Sequence, residues 1–212
     1  KGDIFAKGGV MDNIRKNLSL GLTEINKTKF KWDLATKKML ESKGTVKSTV
    51  LNYGLIMGGL TVAFTVMLFL MDMHYQNSSI QQWTGLLIMA GSIVFGQLAF
   101  KKMNEGFISL GEGMKIGIGV TALGSAIGIA YGIFQGSVLD PDTMTKAMDY
   151  AIEQAIQQNP EIGDEIVGAM EEAFEFFANP LISSSIGMAV SLFFGALISL
   201  LTGLALKKNR PA

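Results

Sequence analysis

Asp72 and His74 are the one close pairing in this 212-residue chain that could hold a divalent cation, since His74 is its sole histidine. Imidazole and carboxylate are ordinary metal ligands. One histidine beside an unplaced carboxylate is a weak metal site, so the expected role is a solvated pair at a membrane interface. Gln97 is the strongest polar candidate inside an otherwise apolar run, and its expected role is a hydrogen bond to a neighbouring helix. Glu112 and Lys115 lie three residues apart, on one helix face, where an interfacial ion pair is expected. Thr61, Thr65, Thr121 and Ser125 can satisfy their hydroxyls on their own helix carbonyls. No nucleophile stands with a base, and there is no phosphate loop or paired histidine. The expectation is therefore no catalytic residue and no cofactor. Cysteine is absent, which removes disulfides and thiolate metal sites.

A different chemistry is carried by small residues. Ser183, Gly187, Ser191, Gly195, Ser199 and Gly203 recur at every fourth position of a greasy run, and Gly124, Gly128 and Gly132 repeat the device upstream. In water such a helix loses stability to its glycines. In lipid, small residues let two helix backbones approach closely. These nine positions are the expected helix-packing sites.

The elements that must carry them are long apolar segments. Hydrophobic residues make up 49% of the chain and charged residues 17%, below the roughly 25% charge of a soluble domain. A spanning helix needs about 20 apolar residues. Four segments qualify, at about 50–71, 83–100, 114–136 and 181–206, the second being the shortest. They are apolar all round, unlike the helices of a soluble bundle. The expected fold is an all-α integral membrane protein with four transmembrane helices. Trp83 and Tyr53 sit where amphipathic rings prefer to lie, at span ends.

Charge orients the spans. With both termini cytoplasmic, the N-terminal segment, the loop after Phe100, Lys115 and the C-terminal tail place 17 of 18 basic residues inside. Lys146 alone lies outside, among ten acids between Ser137 and Asn179. The positive-inside rule thus predicts both termini on the cytoplasmic side of the membrane.

The expected organisation has four parts. Residues 1–46 form a basic cytoplasmic segment, 47–136 hold spans one to three, 137–179 an outer acidic helical hairpin, and 180–212 the fourth span and basic tail. In the hairpin, Asp140 is the expected N-cap with Pro141 at the first helical position. Met144, Met148, Ile152 and Ile156 then recur at helical spacing, as do Ile162, Ile166, Met170, Phe174 and Phe177 after Pro160. Glu171, Glu172 and Glu175 make an acidic face. The N-terminal segment has eleven basic residues against five acids by Lys47. Ile14, Leu18, Leu22 and Ile25 mark an amphipathic helix, followed by Phe30, Trp32 and Leu34 among lysines. That pattern points to anionic lipid headgroups as partners. It matches no nucleic-acid module, so no nucleic acid is expected. The chain starts on Lys1 rather than Met, so an upstream or trimmed N-terminus is expected.

"KSTVLNYGLIMG" before the first span, "FISLGEGMKIGIG" before the third, "LDPD" after it and the small-residue last span ending in "ALKK" carry a resemblance. Over residues 47–212 the chain resembles an uncharacterised bacterial inner-membrane family, domain of unknown function four-one-nine-nine, while residues 1–46 fall outside it. The resemblance implies a four-helix topology and brings no activity, cofactor or site residue. The expected function is an accessory or assembly subunit that packs against a protein partner or a second copy of itself in the membrane. A small transporter or channel is the alternative, and an enzyme on lipid-linked substrates the second alternative.

Overall fold

The computed structural model describes residues 15–28 and 44–210. Ile14, Phe30, Trp32 and Leu34 lie outside the described residues. The chain divides into two units, Lys1–Lys43 and Gly44–Ala212. In the first, residues 15–28 form a helix, α1, on which Leu18, Leu22 and Ile25 share one exposed face.

The second unit is helical throughout. Its elements are α2 (Val46–Leu70), α3 (Ser79–Met103), α4 (Leu110–Phe134), a π turn at Gln135–Leu139, α5 (Thr143–Gln158), α6 (Asp164–Ala178) and α7 (Pro180–Leu206). Local sequence sets the starts of the long helices. Thr45 with Ser48, Ser78 with Gln81 and Ser109 with Glu112 form three capping boxes, each satisfying two backbone N–H groups that a helix start leaves free. Asn179 caps α7, and Pro180 at its first position needs no N–H partner there. Glu112 is thus engaged in a cap: its Oε2 accepts from the Ser109 N–H and hydroxyl, both at 2.8 Å. This corrects the expected Glu112–Lys115 ion pair.

Helices α2, α3, α4 with its π turn, and α7 are long and apolar enough to cross a membrane. At 1.5 Å per residue a 25-residue helix is about 37 Å long, more than the roughly 30 Å of bilayer hydrocarbon. Only 17% to 33% of each apolar window is buried inside the protein. The remainder presents side chains such as Leu51, Leu55, Leu60, Leu87, Phe95, Phe193 and Leu201 outward. Water does not tolerate so large a continuous apolar surface, and lipid does. Helix α3 reaches beyond the expected apolar run at both ends, because its capped first turn is polar and its last carries Lys101 and Lys102.

Helix α4 packs against each of the other three spans. The innermost side chains, Ile93, Phe100, Ile108, Ile116, Val120 and Met57, cluster around it. One end of the bundle is basic and tied together. Lys101 Nζ donates to the Leu206 carbonyl at 2.9 Å, and Ile108 and Lys208 exchange two backbone hydrogen bonds. The other end carries α5 and α6, which pack on each other, with α6 also meeting α7.

Candidate functional site

The small residues sort onto two separate contacts. On α7, Gly195, Ser199 and Gly203 are buried against α4. A Cβ at Gly195 would stand 2.7 Å from Thr121 Cγ2, and one at Gly117 would stand 2.6 Å from Ser199 Cβ. Neither site has room for a larger residue. Ser191 and Ser183 are half-buried, and Gly187 is exposed with nothing within 4 Å of an added Cβ. On α4, Gly124 and Gly128 face α2, where Met57 and Thr61 fill the space, while Gly132 faces open space. The two stripes therefore do not meet each other. The α4 surface that receives α7 is Gly113, Gly117 and Thr121, and α2 contributes Gly54 and Gly58, seated on Leu123 and Ile127. Sequence reasoning passed over Gly54 and Gly58, although their four-residue spacing was the available signal.

Gln97 is fully buried between α3, α4 and α7. Its Nε2 donates to the carbonyls of Gly113 at 3.1 Å and Ser199 at 3.4 Å, while its Oε1 has no partner. A free amide in lipid-like surroundings must find carbonyls, and helix backbones expose them only where a small residue leaves access. At Gly113 an added Cβ would press on Gly203 Cα at 3.3 Å and stand in ordinary contact with Gln97 Nε2 at 3.6 Å. The hydroxyls of Thr61, Thr65 and Thr121 bond back to Met57, Thr61 and Gly117 on their own helices.

A separate set of ionisable residues meets at the α5 end. His74 turns away from Asp72, which is exposed and in a left-handed turn, φ 54°. The His74 ring instead lies 2% exposed, its Nε2 within 3.0 Å of Asp140 Oδ2 and 3.3 Å of Thr143 Oγ1. This corrects the expected solvated Asp72–His74 pair. Phe69 and Tyr75 flank the ring, and Nδ1 has no partner. Lys146 Nζ donates to the same Asp140 oxygen at 2.8 Å. The hydrogen bond from Lys146 holds the Asp140 carboxyl below its usual range, against the opposing pull of burial, with His74 adding to the lowering. Reciprocally, Asp140 raises Lys146. Asp140 is also not the N-cap of α5: Asp142 holds that position and Thr143 opens the helix. The LDPD turn therefore spends its first aspartate on joining the loop after α2 to α5. Among the described residues no three histidines, cysteines or carboxylates converge on one point.

Four lipid-length helices, three of them packed on α4, define a multi-pass helical membrane protein. The chain belongs to the family described as Protein of unknown function (DUF4199), whose pattern it matches over residues 52–208. No curated protein and no solved structure matches it.

Proposed function

We propose that this protein is an accessory subunit that works by packing against another membrane chain, or a second copy of itself, in a bacterial cytoplasmic membrane. The observation that supports this is the division of α7. Its stripe is closed over α4 from Gly195 to Gly203, yet the same stripe stands open at Gly187. Beside the open part lies a groove of about 330 Å³ bordered by Gly132, Gly136, Met144, Pro180 and Ser183. The last turn of α6, whose Ala178 borders this groove, exposes Phe176 and Phe177. A helix from a partner reaches backbone distance only where small residues run uncovered. The basic end faces the cytoplasm in this reading, and the helix at 15–28, in its basic segment, rests on anionic headgroups.

Purification in mild detergent with mass spectrometry tests the subunit reading. A stoichiometric partner that is lost on Gly187→Leu, with the melting temperature of the isolated chain unchanged, supports it. A monomer that conducts ions in liposomes would replace it with transport. Because the chain has no native cysteine, orientation is separately testable with single cysteines. Those at Ser78 and Thr145 should react with an impermeant reagent from outside, and those at Asn104 and Asn209 should not.

A further inference from the structure

Between the loop after α2 and the flank of α5 runs an open groove of about 640 Å³, closed at one side by Phe174 of α6. Its size is that of a small-molecule site. Ala147, Ala151 and Ala155, one helical turn apart on α5, form a low floor. Tyr75 and Tyr150 stand edge to face at its side, ring centroids 6.1 Å apart. Gln76, Asn77, Gln154 and Gln158 line the rest together with Ser79, and none of these side chains has a hydrogen-bond partner among the described residues. Among the described residues, none that line the groove is charged. That neutrality stands out in a segment with ten acids between Ser137 and Asn179.

We propose that this groove binds a neutral, polyhydroxylated ligand, a saccharide of about two rings. Each amide offers a donor and an acceptor side by side, which is what a hydroxyl requires. Tyrosine supplies an electron-rich face for the C–H side of a sugar ring and a hydroxyl at its tip. A charged ligand would find no counter-charge, and an apolar one would strand the amides. Among the described residues no strand edge borders the groove to receive an extended peptide as an added strand. The wall is held in place before any ligand arrives. Gln81 Nε2 donates to the Met73 carbonyl at 2.6 Å, and His74 fastens the loop to Asp140, so little ordering remains for binding to supply.

The test uses the full chain in lipid nanodiscs or in a detergent without a sugar headgroup, since a maltoside detergent would itself compete. Maltose, cellobiose and N,N′-diacetylchitobiose are offered separately at millimolar concentration, and binding is read by saturation-transfer NMR. At least one should receive saturation on its ring C–H protons, with affinity unchanged as salt rises from about 50 to about 500 mM, because no charge is involved. Tyr150→Ala and Gln154→Leu should each weaken that affinity by about tenfold, a difference of about 1.4 kcal/mol. Melting curves check that both variants fold. If Tyr150→Ala does not, Gln154→Leu, on a partly exposed helix face, decides. Transfer to none of the three sugars, transfer unaltered in every folded variant, or transfer abolished by salt would each overturn the proposal. So would displacement of bound sugar by an uncharged Ala-Ser peptide at equal concentration, which would assign the groove to a protein partner.

Discussion

The contact of α7 with α4 at the basic end and the same pair of helices at the α5 end make an instructive contrast. Both ends of α7 carry small residues at four-residue spacing, Gly195 to Gly203 at one and Ser183 to Ser191 at the other. At the basic end the backbones touch: Gly203 Cα is 3.3 Å from where a Cβ of Gly113 would stand. At the α5 end the helices separate, and the stripe borders a groove instead. What differs is the opposing surface. Opposite Gly195 and Ser199, α4 presents Thr121 and Gly117, and Gln97 bonds the backbones of both helices. Toward the other end, Gly124 and Gly128 of α4 have turned to α2. A four-residue repeat advances about 40° per step around a 3.6-residue helix, so one row cannot face one neighbour for its whole length. Spacing creates the opportunity for close packing, and a second surface decides whether it is taken.

The contrast can be broken most directly by enlarging one glycine at each end. Gly195→Leu forces a side chain into Thr121 and should destabilise the detergent-purified protein by about 1–3 kcal/mol, while the helix still inserts. Gly187→Leu should leave the melting temperature of the isolated chain unchanged. Phe194→Leu, at a partly exposed neighbouring position, should be far milder than Gly195→Leu. Equal melting of Gly195→Leu and the parent would remove the distinction between the two ends.

Gln97→Leu probes what holds the closed end. It deletes two hydrogen bonds and puts in their place an apolar side chain one bond shorter, so a loss of about 1 kcal/mol is expected. The double variant with Gly195→Leu should lose less than the sum, because both act on the same contact. Strict additivity in melting experiments would place Gln97 outside it. Lys101→Met removes the lysine that donates to the last turn of α7, a cation at the negative end of a helix. The expected loss is about 0.3–1 kcal/mol and shrinks in high salt.

The smallest effect at neutral pH belongs to the α5 end. Asp140 has a lowered pKa in the fold, so its contribution is present above the ordinary carboxylate range and is lost as pH falls through the lowered value. Lys146 is raised, so its share is present below the ordinary lysine value and lost as pH rises through the raised one. Between those limits the pair adds no pH dependence. Asp140→Asn should therefore flatten the acid limb of a melting-temperature profile. An unaltered acid limb would show that the junction between the loop after α2 and α5 does not rest on this carboxylate.

Several of these features were open to reading along the chain, and others were not. The long apolar runs could be read as helices because lipid leaves a backbone no other way to satisfy its polar groups. Their starts carry an equally local signal, Thr45–Ser48, Ser78–Gln81 and Ser109–Glu112, but apolarity alone places the first three spans about four residues too late, because a capped first turn is polar. Glu112 shows how a local rule misleads. Its three-residue spacing to Lys115 fits an ion pair, but the backbone N–H at the helix start sits closer to the carboxylate and takes it. His74 shows the same at longer range, since its partner Asp140 lies 66 residues away and the nearby Asp72 occupies a turn pointing elsewhere.

By itself the sequence determined the number of spanning helices and the separation of basic from acidic ends, because each follows from solvation of a segment and its immediate neighbours. Tertiary structure alone decided which small residues are covered, that the α4 and α7 stripes serve different neighbours, and that Gln97 reaches a carbonyl 102 residues away. The physical reason is that lipid exerts the same attraction on every face of an apolar helix. Which face meets protein is settled only by whichever complementary surface the other helices bring to it.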